Sequence, residues 1–220
     1  MSLYAVWTQL CDEFDQLSVH LRSFATARPS ISSASHFTVT DECLLEGLLS
    51  RVWQSWGVFC RSCLCESCLG TTDGSGAAVA AHPQAASEAH VSGAAVRAKS
   101  TAAPPTWGST NTVLRYEPTW GDVDILSKLV PRLGPSNQRQ LQAAFSAGSR
   151  SAKALQLIRN ATAHNNVQTM AAVHIIRSGY ITFPVSHPIQ ALYWIEPSSR
   201  DFLVMHAIEE LRDAGLAAIS

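Results

Sequence analysis

The chain has 220 residues, of which 46% are hydrophobic and only 15% charged, with 16 Lys and Arg against 17 Asp and Glu. This is enough length and apolar mass for one sizeable core. A net charge of −1 and a pI near 6.7 exclude a global basic field, so any hold on nucleic acid has to be local. The charged fraction, well under the usual ~25%, fits a surface covered by a partner or by a second copy.

The N-terminal residues Met1 to Trp7 lack a basic region and soon give way to Asp12, Glu13 and Asp15, so no secretory signal is expected. No apolar run approaches the roughly 18 residues of a membrane span. The best, Cys43 to Cys65, is broken by Glu46, Arg51, Gln54 and Arg61. A cytoplasmic protein without membrane association is expected. In that compartment the six cysteines are thiols or metal ligands rather than disulfides.

Residues 1–26 read as an amphipathic helix with the stripe Leu3, Val6, Trp7, Leu10, Phe14, Leu17 and Leu21. Arg28-Pro29 and a Ser-rich run end it. Thr40-Asp41-Glu42 predicts an N-cap and an acidic first turn for a second helix reaching about Cys65. Its stripe is Leu44, Leu45, Leu48, Leu49, Val52, Trp53, Trp56 and Phe59. From about 70 to 112 the chain is dominated by Ala, Gly, Ser, Thr and Pro, which predicts a flexible insertion. Tyr116 to Trp120 reads as extended, and Asp122 to Leu133 as a short helix. A third long helix is predicted from an N-cap at Ser136 through His164, followed by a helix over Val167–Ser178 and a brief extended piece over Tyr180–Val185. The last helix is expected from Ser198 or Ser199 to Ala218. The fold class is therefore all-α: one domain over 1–220, a bundle of four to six helices with core about 1–70 and 115–220.

The most specific stretch is Arg159-Asn160-Ala161-Thr162-Ala163-His164. Arg offers a permanently charged fork for a phosphate, and His a proton acceptor and donor near neutral pH. Asn160 and His164 share a helix face. Arg159 lies about 140° from His164 on an ideal helix, so convergence requires an end or bend, which Asn165-Asn166 allows. The simpler alternative is a helix C-terminus with a dipole-complementing His and a solvated Arg. Arg132, Arg139, Arg150, Lys153 and Arg159 form the one local basic concentration. Arg139, Arg150 and Lys153 are candidates for RNA phosphates. Arg200 and His206 have similar spacing but read as a structural helix start.

Cys60-x2-Cys63-x-Cys65-x2-Cys68 places four thiols in nine residues, a candidate metal site. One short stretch wraps a tetrahedron only with strain, so a further ligand from His82, His90 or another chain would be needed. The alternative is a helix end rich in small, burial-tolerant thiols. The tryptophans Trp7, Trp53 and Trp56 fall on helix stripes and read as core. Trp107 and Trp120 flank the insertion, where packing is the simpler role than base stacking.

Arg159-Asn160-x-x-x-His164 resembles the Arg-x4-6-His motif of the HEPN superfamily, small helical domains of toxin and defence ribonucleases. The resemblance implies a homodimer with two motifs at one cleft and metal-independent RNA cleavage without a cofactor. It also implies an antitoxin or defence-complex protein as partner. On that reading His164 is general base or acid, Arg159 holds the scissile phosphate, and Asn160 orients either. The other reading is a non-catalytic helical subunit that assembles a larger defence or nucleic-acid complex through its apolar stripes.

Overall fold

The computed structural model describes residues 1–28, 31, 37–100, 107 and 114–220, with backbone only for Ser100 and Leu114. Pro29, most of the Ser-rich run and parts of the expected insertion, 101–106 and 108–112, lie outside the described residues. The chain is overwhelmingly helical: α1 (Leu3–Thr26), α2 (Val39–Leu69), α3 (Glu88–Ser100), α4 (Val123–Leu133), α5 (Gln138–Ala147), α6 (Ser149–Ala163), α7 (Val167–Ile176) and α8 (Leu203–Ile219). One two-stranded antiparallel hairpin pairs β1 (Thr71–Thr72) with β2 (Ala78–Val79). Short 3₁₀ turns cover Leu114–Tyr116, Arg177–Gly179 and Pro188–Tyr193. No helix among the described residues is long and apolar enough to cross a membrane.

The helix number exceeds the expected four to six for two reasons. The predicted third long helix breaks at Gly148, whose N–H closes onto the Ala144 carbonyl, so α5 and α6 are separate. The predicted Ser136 cap does not form. Ser136 donates instead to the Ala80 carbonyl, and Asn137 stands at the N-cap without a side-chain cap bond. The second reason is α3, which occupies part of the stretch expected to be flexible. Its Val91, Ala94, Ala95 and Ala98 are fully buried, an i, i+3, i+4, i+7 stripe built from small residues.

The chain divides into two compact units, each assembled from discontinuous segments. The first comprises residues 1–11, 56–149 and 212–220; the second comprises 12–55 and 150–211.

In the first unit Trp56 is fully buried, stacks on Phe59 at 5.5 Å and meets Phe145 edge-on at 6.1 Å, a favoured aromatic geometry. Gly215 of α8 permits close approach, because a Cβ there would stand 3.1 Å from the Trp7 ring. Asp122 caps α4 by accepting the N–H groups of Asp124 and Ile125, and Gly134 ends it in the left-handed conformation. Arg132, one of the basic candidates, donates to the Ala98 carbonyl at the end of α3. Trp107 stacks on the His82 ring at 4.4 Å.

In the second unit α2 starts at Val39, one residue before the expected cap at Thr40. Thr38 and Asp41 exchange backbone N–H bonds with each other's side chains, and Arg28 pairs with Asp41. The turn Pro188–Tyr193 is buried throughout, although no apolar periodicity announces it. Tyr193 stacks on Phe24 at 5.6 Å and donates its hydroxyl to the Leu21 carbonyl. Isolated bridges link Ile195 to both Ile181 and Phe202.

Candidate functional site

Helix α6 carries the motif. Ser151, Ala152, Ala154, Leu155, Ile158 and Ala161 are its buried face. Arg159 and Asn160 are half-buried and His164 is exposed. The helix stays regular through the motif: the His164 N–H donates to the Asn160 carbonyl at 3.0 Å. The turn lies beyond it. Asn166 caps α7 and forms a reciprocal box with Thr169, whose hydroxyl also donates to the His164 carbonyl at 2.8 Å. Asn165-Asn166 therefore does not bend α6 between Arg159 and His164, and the two remain about 140° apart on the helix. Asn160 and His164 do share a face, and Lys153 falls on the same stripe within about 40°. Among the described residues, the side chains of Arg159, Asn160 and His164 make no hydrogen bond or ion pair.

The other basic candidates separate. Arg139 is exposed on α5 in the first unit, while Arg150 and Lys153 lie on α6 in the second. Arg150 is nine residues from Arg159, about 180° around the helix and roughly 13 Å along it. It lies opposite Arg159 but within about 40° of His164 around the axis, and about 21 Å from it along the helix.

The turn of α6 that carries Arg150 meets groups that sequence reasoning did not find. The Arg150 guanidinium lies over the Tyr180 ring, 5.8 Å from its centroid. It occupies the room left by Gly179, where a Cβ would stand 2.3 Å from an Arg150 Nη. The adjacent Ser151 donates to the Glu210 carboxylate, whose other oxygen is 3.2 Å from Nε2 of His206. Burial raises the Tyr180 phenol above its ordinary range, against an opposing pull from the Arg150 charge and with a further push from Glu210 and Glu196. Only Arg150 and His206 of this group carried a sequence signal. Tyr180 and Glu210 join them through contacts 30 and 60 residues away from Arg150, which no local pattern encodes.

Arg200 and His206 do not form one helical pair. α8 starts at Leu203, and Arg200 sits before it at φ +60°, in the left-handed region. The expected Ser198 or Ser199 cap is replaced by a turn around Glu196. This carboxylate accepts the backbone N–H of Ser199 at 2.6 Å, that of Ser198 at 2.9 Å and the Ser198 hydroxyl at 2.8 Å. The Ser199 and Ser198 bonds hold its acid down to about 2.

Cys60, Cys63, Cys65 and Cys68 occupy successive turns of one unbroken helix, α2, and are all buried. Burial pushes Cys63, Cys65 and Cys68 up to about 12, so they are neutral thiols at neutral pH. Among the described residues no three His, Cys, Asp or Glu side chains converge as a metal site. The thiols pack as small apolar groups against the rest of the first unit.

Compared with known protein families, with curated proteins and with solved structures, the chain matches none. The likeness to the HEPN superfamily rests on Arg159, Asn160 and His164 and on the helical content.

Proposed function

We propose that this chain is a metal-independent endoribonuclease of the toxin–antitoxin or antiviral-defence type, acting in the cytoplasm through Arg159, Asn160 and His164. The observation that carries the reading is that these three polar side chains stand at the surface end of an otherwise well-packed helix with no internal partner. His164 accepts the proton of an RNA 2′-hydroxyl as the 2′-oxygen attacks phosphorus. The bond to the 5′-oxygen breaks, and that oxygen takes a proton from an imidazolium or from water. Arg159 neutralises the added charge on the phosphoryl oxygens. The products are a 2′,3′-cyclic phosphate and a 5′-hydroxyl. Because α6 is straight through the motif, the reading assigns the Arg159 and the His164 at each phosphate to two copies in a homodimer. Lys153, on the stripe with Asn160 and His164, supplies charge for the flanking phosphate.

The test is cleavage of a labelled RNA in excess EDTA by wild type, Arg159→Ala and His164→Ala, with mass by light scattering. A dimer that cuts only as wild type is the expected result. Equal cleavage by all three overturns the assignment.

A second reading, the non-catalytic assembly subunit, is favoured by α7. Val167, Ala171 and Ile175 recur every four residues and are exposed, Val167 at 86% and Ile175 at 74%. An apolar helix face of this kind marks an interaction surface. On this reading Val167→Asp with Ile175→Asp dissolves an assembly, and the two motif substitutions are silent.

A further inference from the structure

Beside the first turn of α6, on the side opposite Arg159, Arg150 and Tyr180 are donors without an acceptor among the described residues, and His206 joins them through Glu210. Arg150 is exposed and, among the described residues, makes no hydrogen bond or ion pair beyond its position over Tyr180. The Tyr180 hydroxyl is half-buried and likewise has no hydrogen-bond partner among the described residues. His206 uses one ring nitrogen, Nε2, on Glu210, which leaves Nδ1. The nearby carboxylates have partners of their own: Glu196 the Ser198 and Ser199 donors, Glu210 Ser151 and His206. Glu210 joins the two sides of the group, through Ser151 to the turn of α6 that carries Arg150 and directly to His206.

We propose that Arg150, Tyr180 and His206 form an oxyanion site that takes a phosphate group, with Gly179 giving the guanidinium its seat. The chemistry fits that ligand. An arginine fork presents paired N–H donors to two oxygens, and a ring stacked against it limits the rotamers it must give up on binding. Burial keeps the Tyr180 phenol protonated, hence a donor. His206 is held through Nε2 by a carboxylate, which fixes its ring and presents Nδ1 as a further donor whenever both ring nitrogens carry a proton. Gly179 is an informative part of the arrangement, because a side chain there would push the Arg150 guanidinium off this seat. The site rests on different residues from the proposed cleavage motif and lies about 21 Å along α6 from His164.

Binding of orthophosphate, followed by titration calorimetry at pH 6.5 and low ionic strength, tests the proposal. A 2′-O-methyl oligonucleotide that resists cleavage, titrated in parallel, separates a free phosphate from a nucleic-acid backbone as the source. Wild type should bind at least one of the two saturably. Arg150→Gln should weaken that binding at least ten-fold. Gly179→Ala should do nearly the same although it changes no charge, and Tyr180→Phe, which keeps the ring, should weaken it several-fold. The proposal is overturned if wild type binds neither probe, or if Arg150→Gln and Tyr180→Phe bind as wild type does. Should Gly179→Ala fail to fold, the Arg150 and Tyr180 variants decide alone. Loss of RNA cleavage in His164→Ala is read separately, so the two sites fail or stand independently.

Discussion

Arg61 and Arg159 both project from helices, yet their surroundings are opposites. In the first unit Arg61 makes a two-pronged bond to Glu117, with both N···O distances 2.8 Å, and also pairs with Glu88. Glu117 in turn accepts from the Ser92 hydroxyl and the Trp120 indole, and Lys99 donates to the Tyr116 and Glu117 carbonyls. Every donor in this network has an acceptor, as a largely buried ion pair requires. In the second unit Arg159 has none among the described residues. One arginine fastens residues 114–120 to α2 and α3. The other makes no such bond among the described residues, so its removal is expected to cost the fold little.

The sharpest way to break this comparison is to cut the fastened end. Glu117→Ala leaves the Arg61 guanidinium, only 24% exposed, without its principal partner. A loss of about 3 kcal/mol is expected, seen as faster hydrogen exchange in α3 and in residues 114–120. Unchanged exchange there would show that the network is incidental to the fold.

Acid offers a graded version of the same cut. Burial by itself would raise the Glu117 carboxyl, but the bonds from Arg61, Ser92 and Trp120 outweigh it and hold the acid down to about 2. A carboxyl lowered on folding contributes stability that is complete above its unfolded value of 4.5 and is lost as pH falls toward 2. The expected slope between those limits amounts to roughly 2–3 kcal/mol. It should flatten in Glu117→Gln, measured by urea unfolding from pH 5 to 2.5.

An intermediate effect lies beside the motif. Asn166 accepts the N–H groups of Gln168 and Thr169 at 3.0 Å each. Asn166→Ala should cost α7 about 1 kcal/mol, visible as fraying of α7 in exchange. Because the Thr169 hydroxyl also holds the His164 carbonyl, the same change loosens the end of α6. Any activity carried by His164 should fall with it, by less than in His164→Ala.

How much of this was legible in the sequence depended on range. The stripes of α1 and α2 are written in large apolar residues at helical spacing, and all but Trp7, Leu44 and Leu48 on those stripes proved buried. α3 carries the same spacing in Val91, Ala94, Ala95 and Ala98, but alanine adds so little hydrophobic contrast that composition hid it. The break at Gly148 and the buried turn at Pro188–Tyr193 are set by tertiary packing, which overrides local propensity. The motif itself is contiguous and therefore readable. Tyr180, Glu210 and Gly179 meet Arg150 only once the chain is folded, and no spacing rule reaches that far.

The smallest expected effect is the most discriminating. Arg159→Ala and His164→Ala remove side chains that hydrogen-bond to nothing among the described residues, so each should change stability by no more than about 0.5 kcal/mol. Set beside Glu117→Ala, the ratio of effects is the quantitative form of the comparison: a large structural loss at one arginine centre, almost none at the other. If cleavage is also lost in these two variants while their unfolding midpoints stay put, the loss belongs to chemistry or binding and not to the fold. If instead they destabilise the second unit by as much as Asn166→Ala does, Arg159 and His164 are helix-end residues that complement the α6 dipole and its packing. The contrast with Arg61 would then be one of degree rather than of kind.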